Sequence, residues 1–440
     1  MKAARRLPFG LRAYRALTGA LAWAAPALLA ARARRGKEEP ARLDERLGRA
    51  PAPPRTGGPL AWLHAASVGE SVLALALAGE MRAARPDLRF LFTSGTVTSA
   101  RLVGERLSPG DVHRYVPVDT PGATRAFIDA WRPDLGVFIE SEIWPNLLLA
   151  AHGAGVPLAL VNARMNARSA RGWSRRMASA RALFNLFDIV LPADAFTAQA
   201  LAALRDGPTG PPGNLKLAAA PAPVDAARLA EVKAATGDRP VWLAASTHAG
   251  EDGLMLEAHA ALRMAAPDAL LILAPRHPER GEDVAVDCRR AGFVPARRSR
   301  GEAPSPAEAV WLWDTLGELD LAAHAARVAC VAGSFLPGGG GHNPVEPALA
   351  GAAVVSGPHV ASFSDLYRDL ADAGGAILLA EADARALAMI VAGLLGDEAW
   401  RAAQCAAARE VVARGRASMA RTLAALTPML PPGPPREAAS

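Results

Sequence analysis

Lysine is almost missing from this 440-residue chain. Only Lys2, Lys37, Lys216 and Lys233 occur although lysine and arginine together number 49, so arginine fills nearly every basic role. Cysteine is scarcer still: Cys288, Cys330 and Cys405 are odd in number and scattered, which excludes a disulfide framework and suits a reducing compartment. Small buried hydrophobes are what such thiols are expected to be. The nine histidines form no pair of zinc-ligand spacing, so a structural metal is not indicated. No D-x-D triplet occurs, which argues against a nucleotide-sugar site built on a chelated divalent ion. Zinc-finger, basic-zipper and aromatic RNA-binding signatures are also missing, and nucleic acid is not an expected partner.

What is present suits large cores. At 51% hydrophobic residues and 440 in length, the chain reads as two or three globular domains. Its net charge of +6 is uneven: Arg5, Arg6, Arg12, Arg15, Arg32, Arg34 and Arg35 crowd the amino end, beside an apolar stretch from Ala16 to Ala31. Basic and apolar residues together suggest anionic lipid as a partner, and residues 1–36 read as a membrane anchor. Sixteen helical residues reach about 24 Å, short of a hydrocarbon core of roughly 30 Å. A tilted signal-anchor and an in-plane helix both fit, whereas a cleaved signal peptide is disfavoured because the remaining chain reads as cytosolic.

Beyond a charged connector, apolar runs alternate with helix-length segments. Leu60–Ala66, Arg89–Ser94, Leu135–Glu140, Pro157–Asn162 and Asp188–Pro192 are the expected strands of the first half. The Pro/Gly cluster Gly207–Gly213 interrupts the pattern, which resumes with Val241–Ala245, Ala269–Ala274, Ala309–Trp313, Val328–Ala332 and Ala352–Val355. Repeated strand-helix order predicts an α/β fold of two doubly wound, Rossmann-like parallel-sheet domains, with ligands bound at the carboxyl ends of strands in a cleft. The expected partition is 37–207 and 224–430, joined by a hinge at 208–223 and followed by a disordered tail at 431–440.

Polar clusters gather where the apolar runs stop: HAASVGE (64–70), ESEIWPN (140–146), STHAGE (246–251), PRHPER (275–280) and DTLGE (314–318). Ser67 and Glu70 make a capping box, yet a Glu beside a Gly at a strand end also serves as a general base. Glu140 and Glu142 flank Ser141, so strand alternation lets only one of them face the ligand. Arg276 and His277 read either as a surface pair or as a phosphate clamp. Lys216, rare by type, is a compact cation where the hinge meets the second half, or an ordinary surface lysine. Gly338–Gly341 ends an apolar strand and opens into Asn343-Pro344-Val345-Glu346, which fits a helix cap with Asn at the cap and Glu at the third position. Four glycines exceed what a cap needs, so the run also reads as a backbone cradle for a nucleotide phosphate. It lacks the G-K-[ST] ending of a P-loop.

Taken in order, HAASVGE, SEIWPN, NAR, GNLK, PRHPER, D-T-x-GEL, GGHNPVEP and GPH resemble the 3-deoxy-D-manno-octulosonic acid (Kdo) transferases of lipopolysaccharide synthesis. The resemblance implies a GT-B fold, an enzyme on the cytoplasmic side of the inner membrane, CMP-Kdo as donor, the lipid A precursor (lipid IVA) as acceptor, and no cofactor or metal. It implies that Glu70 is the general base and that Glu142 and Lys216 stabilise the transition state. The implied CMP site comprises Ser246, Thr247, Arg276, His277, Leu316, Gly317, Glu318, Gly340, Gly341, His342, Asn343, Pro344, Val345 and Glu346, with Glu346 accepting from ribose hydroxyls. Gly338-Gly339 replaces a usually bulkier pair, Ser362-Phe363 stands where Asn-Phe is common, and Asn166 stands where Ser is frequent. Another nucleotide-sugar enzyme of the same fold, or a membrane-attached nucleotide-binding regulator, are the competing readings.

Overall fold

The structure is a computed structural model that describes residues 7–54, 57–218 and 224–432. It divides into two compact units, Met1–Leu215 with Ala417–Ser440, and Lys216–Arg416.

The first unit holds a six-stranded sheet: β1 (Leu60–His64), β2 (Arg89–Ser94), β3 (Val112–Tyr115), β4 (Leu135–Ile139), β5 (Leu158–Ala163) and β6 (Ile189–Pro192). All pairings are parallel, in the order β3-β2-β1-β4-β5-β6. β1 and β4 are buried at every position because helices cover both faces, which is why they read as unbroken apolar runs rather than alternating ones. Trp62 of β1 anchors that core, edge-on to Phe138 at 5.0 Å and tilted against Phe127 at 5.4 Å. Truncating such a side chain to alanine costs about 3–5 kcal/mol.

The second unit holds seven parallel strands: β7 (Val241–Thr247), β8 (Leu270–Pro275), β9 (Ala296–Arg297), β10 (Val310–Leu312), β11 (Val328–Val331), β12 (Ala353–Ser356) and β13 (Ala376–Leu378), ordered β13-β12-β11-β7-β8-β10-β9. In each sheet the winding reverses beside the first strand, between β1 and β4 and between β7 and β11. Loops leaving the carboxyl ends on either side of such a reversal part from one another, and the gap accepts ligands. HAASVGE and ESEIWPN flank the first reversal, and STHAGE and the glycine run flank the second.

Several expectations need correction. β3, β9 and β13 carry no long apolar run, and β3 alternates between half-buried and buried positions as an edge strand does. The Pro/Gly cluster is no free hinge: Gly210 and Gly213 donate their N–H groups to Val190 and Pro192 at 2.8 and 2.9 Å, fastening it to β6. The expected hinge residues 219–223 lie outside the described residues. The chain re-enters the first unit at Ala417, inside the long helix Glu398–Leu426, so the carboxyl end of the expected domain 224–430 belongs with the other unit. Of the expected tail, Pro431 accepts a hydrogen bond from Arg85 at 3.2 Å, and residues 433–440 lie outside the described residues.

The amino-terminal segment forms two helices bent by 42°, Phe9–Ala20 and Ala22–Ala33, and among the described residues no single helix is long and apolar enough to cross a membrane. The first helix is tied to its own unit: Tyr14 donates to Asp119 at 2.8 Å, and Asn146 donates to Thr18 at 3.0 Å. Its other side leaves Phe9 and Leu17 exposed, and Leu21, Trp23 and Leu28 beyond it are exposed as well.

Candidate active site

At the reversal in the first sheet, Ser67 caps the helix Val68–Ala84 and its hydroxyl accepts the N–H of Glu70 at 3.4 Å. The Glu70 carboxylate folds back, taking the Ala66 N–H at 2.8 Å and the Ser67 hydroxyl at 3.0 Å. Ser67 therefore caps the helix, but the carboxylate reaches past the cap's own N–H to that of Ala66, and these bonds hold it still rather than competing with a chemical role. Burial, then the charges of Glu142 and Glu140, push Glu70 above the ordinary glutamate range, against the pull of its two hydrogen bonds.

Glu142 is driven the other way. Burial acts to raise it, but His64 and the Trp144 indole N–H, which donates at 2.6 Å, outweigh burial and hold its carboxyl below the ordinary range. The opposite shifts make Glu70 the stronger proton acceptor of the two carboxylates and Glu142 the weaker. The expectation that only one of Glu140 and Glu142 faces the ligand fails: residues two apart would share a face of an extended strand, β4 in any case ends at Ile139 with Glu140 at φ +62°, and both charges bear on Glu70. Asn162, at φ +50°, closes β5 beside it: its amide nitrogen lies 3.4 Å from Glu140, and its oxygen accepts the Leu215 N–H at 3.0 Å. Side-chain-bearing residues in this backbone region carry strain of order 1–3 kcal/mol. Lys216 follows directly, half-buried in the short turn Leu215–Ala218.

At the reversal in the second sheet, Ser246 takes φ +59° and turns the chain out of β7. Thr247 is fully buried with its hydroxyl bonded to Asp252 at 2.6 Å, so its side chain is spent on the fold and not on a ligand. Its carbonyl accepts the Arg276 N–H at 2.9 Å, bringing β8's end alongside, and the Arg276 and His277 side chains are exposed there. His248 lies 2.9 Å from His342 between their Nε2 atoms, with the His277 ring 5.9 Å away edge-on. Burial, then the nearby His248 and Arg276, lower His342 to about 4, so it is uncharged at neutral pH.

The glycine run is less open than a bare cradle. Gly338, Gly340 and Gly341 have φ of +88°, +78° and +77°, which only glycine adopts without strain. Two of its amides are already committed: Gly341 donates to Gly333 at 2.8 Å and Gly339 to Leu336 at 3.2 Å. The following helix starts at Val345 rather than Pro344, and Asn343 accepts the Val345 N–H at 3.1 Å while its amide reaches Glu346 at 3.4 Å. Pro344 and Val345 are buried packing residues, and the Glu346 side chain is exposed. Leu316 is 79% exposed in a loop turned by Gly317 at φ +74°. Glu318 is clamped by Arg228, by Arg298 at 3.1 Å and by the Thr315 hydroxyl at 2.5 Å; burial raises it, but these cations and the hydroxyl prevail and keep it ionised.

Known proteins resemble this chain in sequence and in fold. The 3-deoxy-D-manno-octulosonic-acid transferase (kdotransferase) family matches residues 41–219. The 3-deoxy-D-manno-octulosonic acid transferase of Bordetella pertussis is 39% identical, over 88% of this chain and 90% of its own length. This chain belongs to the Kdo transferase family. The Haemophilus influenzae Kdo transferase is 33% identical over 88% of this chain and 91% of its own. A glycosyltransferase from Rickettsia africae superposes with a TM-score of 0.52 at 11% identity, covering 85% of this chain and 99% of that one, and shows the shared two-domain GT-B type of fold. The chain is thus a glycosyltransferase.

Three residues of this Kdo transferase escape a reading of its motifs. His64 is fully buried 3.4 Å from Glu142, and His248 faces His342. Glu251 is 1% exposed and accepts the N–H groups of His248, Gly333 and Phe335 at 2.9, 2.8 and 2.9 Å. All three stand inside the strand-end clusters HAASVGE and STHAGE. Membership of those clusters was the only signal that pointed to them.

Proposed function

We propose that this enzyme moves Kdo from CMP-Kdo to the lipid A precursor lipid IVA by an inverting displacement, with Glu70 as general base. An acceptor hydroxyl attacks the anomeric carbon of Kdo while its proton passes to the Glu70 carboxylate. The bond from that carbon to the CMP phosphate oxygen breaks, and its electron pair leaves with the phosphate. No covalent enzyme intermediate is needed, since one base and a stabilised leaving group suffice. The observation that carries the reading is the Glu70–Glu142 pair: a base poised above its ordinary pKa beside a carboxylate kept ionised. The ionised Glu142 suits the positive charge that develops on the sugar, and Lys216 suits the departing phosphate.

In this proposal the donor is held by the second unit. Arg276 and His277 meet the phosphate, the backbone of Leu316–Glu318 meets the base, and Asn343 and Glu346 meet the ribose. Glu318 acts by setting that loop through its arginine clamp. The amino-terminal helices are proposed to lie in the plane of the cytoplasmic face of the inner membrane, against anionic lipid. Support comes from the exposed Phe9, Leu17, Leu21, Trp23 and Leu28 on a helix pair that Tyr14 and Thr18 tie to the protein. Incubation with CMP-Kdo and lipid IVA, followed by mass spectrometry of the lipid, tests donor and acceptor together; consumption of a UDP-sugar instead would redirect the reading.

A further inference from the structure

His64 is the one histidine that closes a strand of the first sheet from inside. It is fully buried, and its Nδ1 lies 2.9 Å from the Thr93 hydroxyl of the neighbouring strand β2. That hydroxyl oxygen already accepts the indole N–H of Trp62 at 2.8 Å. Among the described residues His64 Nδ1 is the one acceptor that the Thr93 hydroxyl hydrogen meets, so donation to Nδ1 satisfies both groups and leaves the ring proton on Nε2. Nε2 makes no hydrogen bond of good geometry among the described residues, and its near partner is Glu142 Oε2 at 3.4 Å. The ring is flanked by Phe138, edge-on at 5.4 Å, and by Trp62 at 6.4 Å, and turning the other nitrogen outward would give up the Thr93 contact at Nδ1. A buried N–H without a good acceptor is costly, and Glu142 is the acceptor it is aimed at.

We infer that His64 is a positioning residue for the transfer: Trp62 and Thr93 fix its tautomer, and its Nε2–H orients the Glu142 carboxylate and keeps it ionised beside Glu70. This rests on the reading that Glu142 acts in Kdo transfer. The groups bearing on the Glu70–Glu142 pair are His64 from β1, and Glu140 and Trp144 from the loop that carries Glu142, with Arg164 3.7 Å from Glu140. Of these, Trp144 donates to Glu142 at 2.6 Å and His64 Nε2 lies 3.4 Å from it. Without His64, a proton is free to settle on either carboxyl of the Glu70–Glu142 pair, so more of the enzyme is protonated at a given pH. The acid limb of the rate profile then moves to higher pH.

The test uses the full chain with His64→Ala, His64→Gln, Thr93→Val, Glu142→Gln and the His64→Ala/Glu142→Gln double variant, with melting temperatures recorded to confirm folding. Expected for His64→Ala is a loss in kcat of about 10–100-fold with KM within about twofold, and an acid limb shifted upward. His64→Gln, which keeps a donor near the Nε2 position, recovers part of the rate. The double variant is no slower than Glu142→Gln alone, within about twofold. A kcat for His64→Ala within about twofold of the parent, or losses that multiply in the double variant, overturns the inference. Should His64→Ala not fold, Thr93→Val and His64→Gln are read by the same criteria. A carbon-13 titration of the glutamate carboxyls separates this inference from the function on which it rests. If the parent transfers no Kdo, the functional reading fails, and an upward shift of the Glu142 titration in the His64 variants still decides the role of His64; an unmoved titration contradicts it.

Discussion

Glu251 sets a carboxylate oxygen 2.8 Å from the backbone N–H of Gly333, fastening the loop after β11 to the loop after β7. The same oxygen takes the His248 N–H, and the other takes that of Phe335, so one buried side chain holds both walls of the gap at the second sheet's reversal.

Replacing Glu251 with Gln leaves one oxygen to serve three N–H groups and turns an amide toward a donor. Each buried group left unsatisfied costs about 1–3 kcal/mol. The expected outcome is a loss of that order in urea unfolding, together with CMP binding weakened by about tenfold in calorimetry. Stability lost with CMP affinity unchanged would remove Glu251 from the donor site.

Glu70→Gln keeps the shape of the capping box and removes the base. Transfer is expected to fall by about 10²–10⁴-fold while CMP binding persists. Because burial and the adjacent carboxylates raise Glu70 in the folded enzyme, kcat/KM of the parent rises with pH through a value above that of an ordinary glutamate. The sign for stability differs between the pair. Glu142, held below its ordinary pKa, contributes stability that is present above the unfolded value and lost as pH falls through the folded one. Acid unfolding of Glu142→Gln is therefore expected to be less pH-dependent than that of the parent.

Lys216→Ala is expected to lower kcat more than it weakens ground-state donor binding, because charge on the phosphate grows as the bond breaks. Steady-state kinetics beside CMP calorimetry separates the two. Equal losses would reduce Lys216 to a binding role.

Trp23→Ser combined with Leu28→Ser is expected to release the protein from vesicles containing anionic lipid in a co-sedimentation assay. Turnover of detergent-solubilised acceptor should remain, since these side chains point away from their unit, at 81% and 62% exposure. Unchanged sedimentation would count against in-plane attachment.

Much of the framework was legible in the sequence because parallel strands buried on both faces leave unbroken apolar runs, and polar residues appear only where those runs end. Glu70 and the glycine run stand at such ends. Thr247 was misread because it sits at a strand end yet turns inward to Asp252, and no periodicity distinguishes the two directions. For Glu140 and Glu142 the alternation rule was misapplied, since residues two apart share a strand face, and the chain leaves β-geometry at Glu140 in any case. His64 and Glu251 act through partners on other strands, brought together by sheet order alone. β9 and β13 were invisible for want of length, and the return of the chain to the first unit at Ala417 falls within an uninterrupted helix that offers no boundary signal.

The most direct test of the central claim is mass spectrometry of lipid IVA after incubation with the purified enzyme and CMP-Kdo, run beside the Glu70→Gln variant. The account predicts lipid carrying added Kdo from the parent enzyme and unmodified lipid from the variant. Unmodified lipid from both, or equal modification by both, would contradict it.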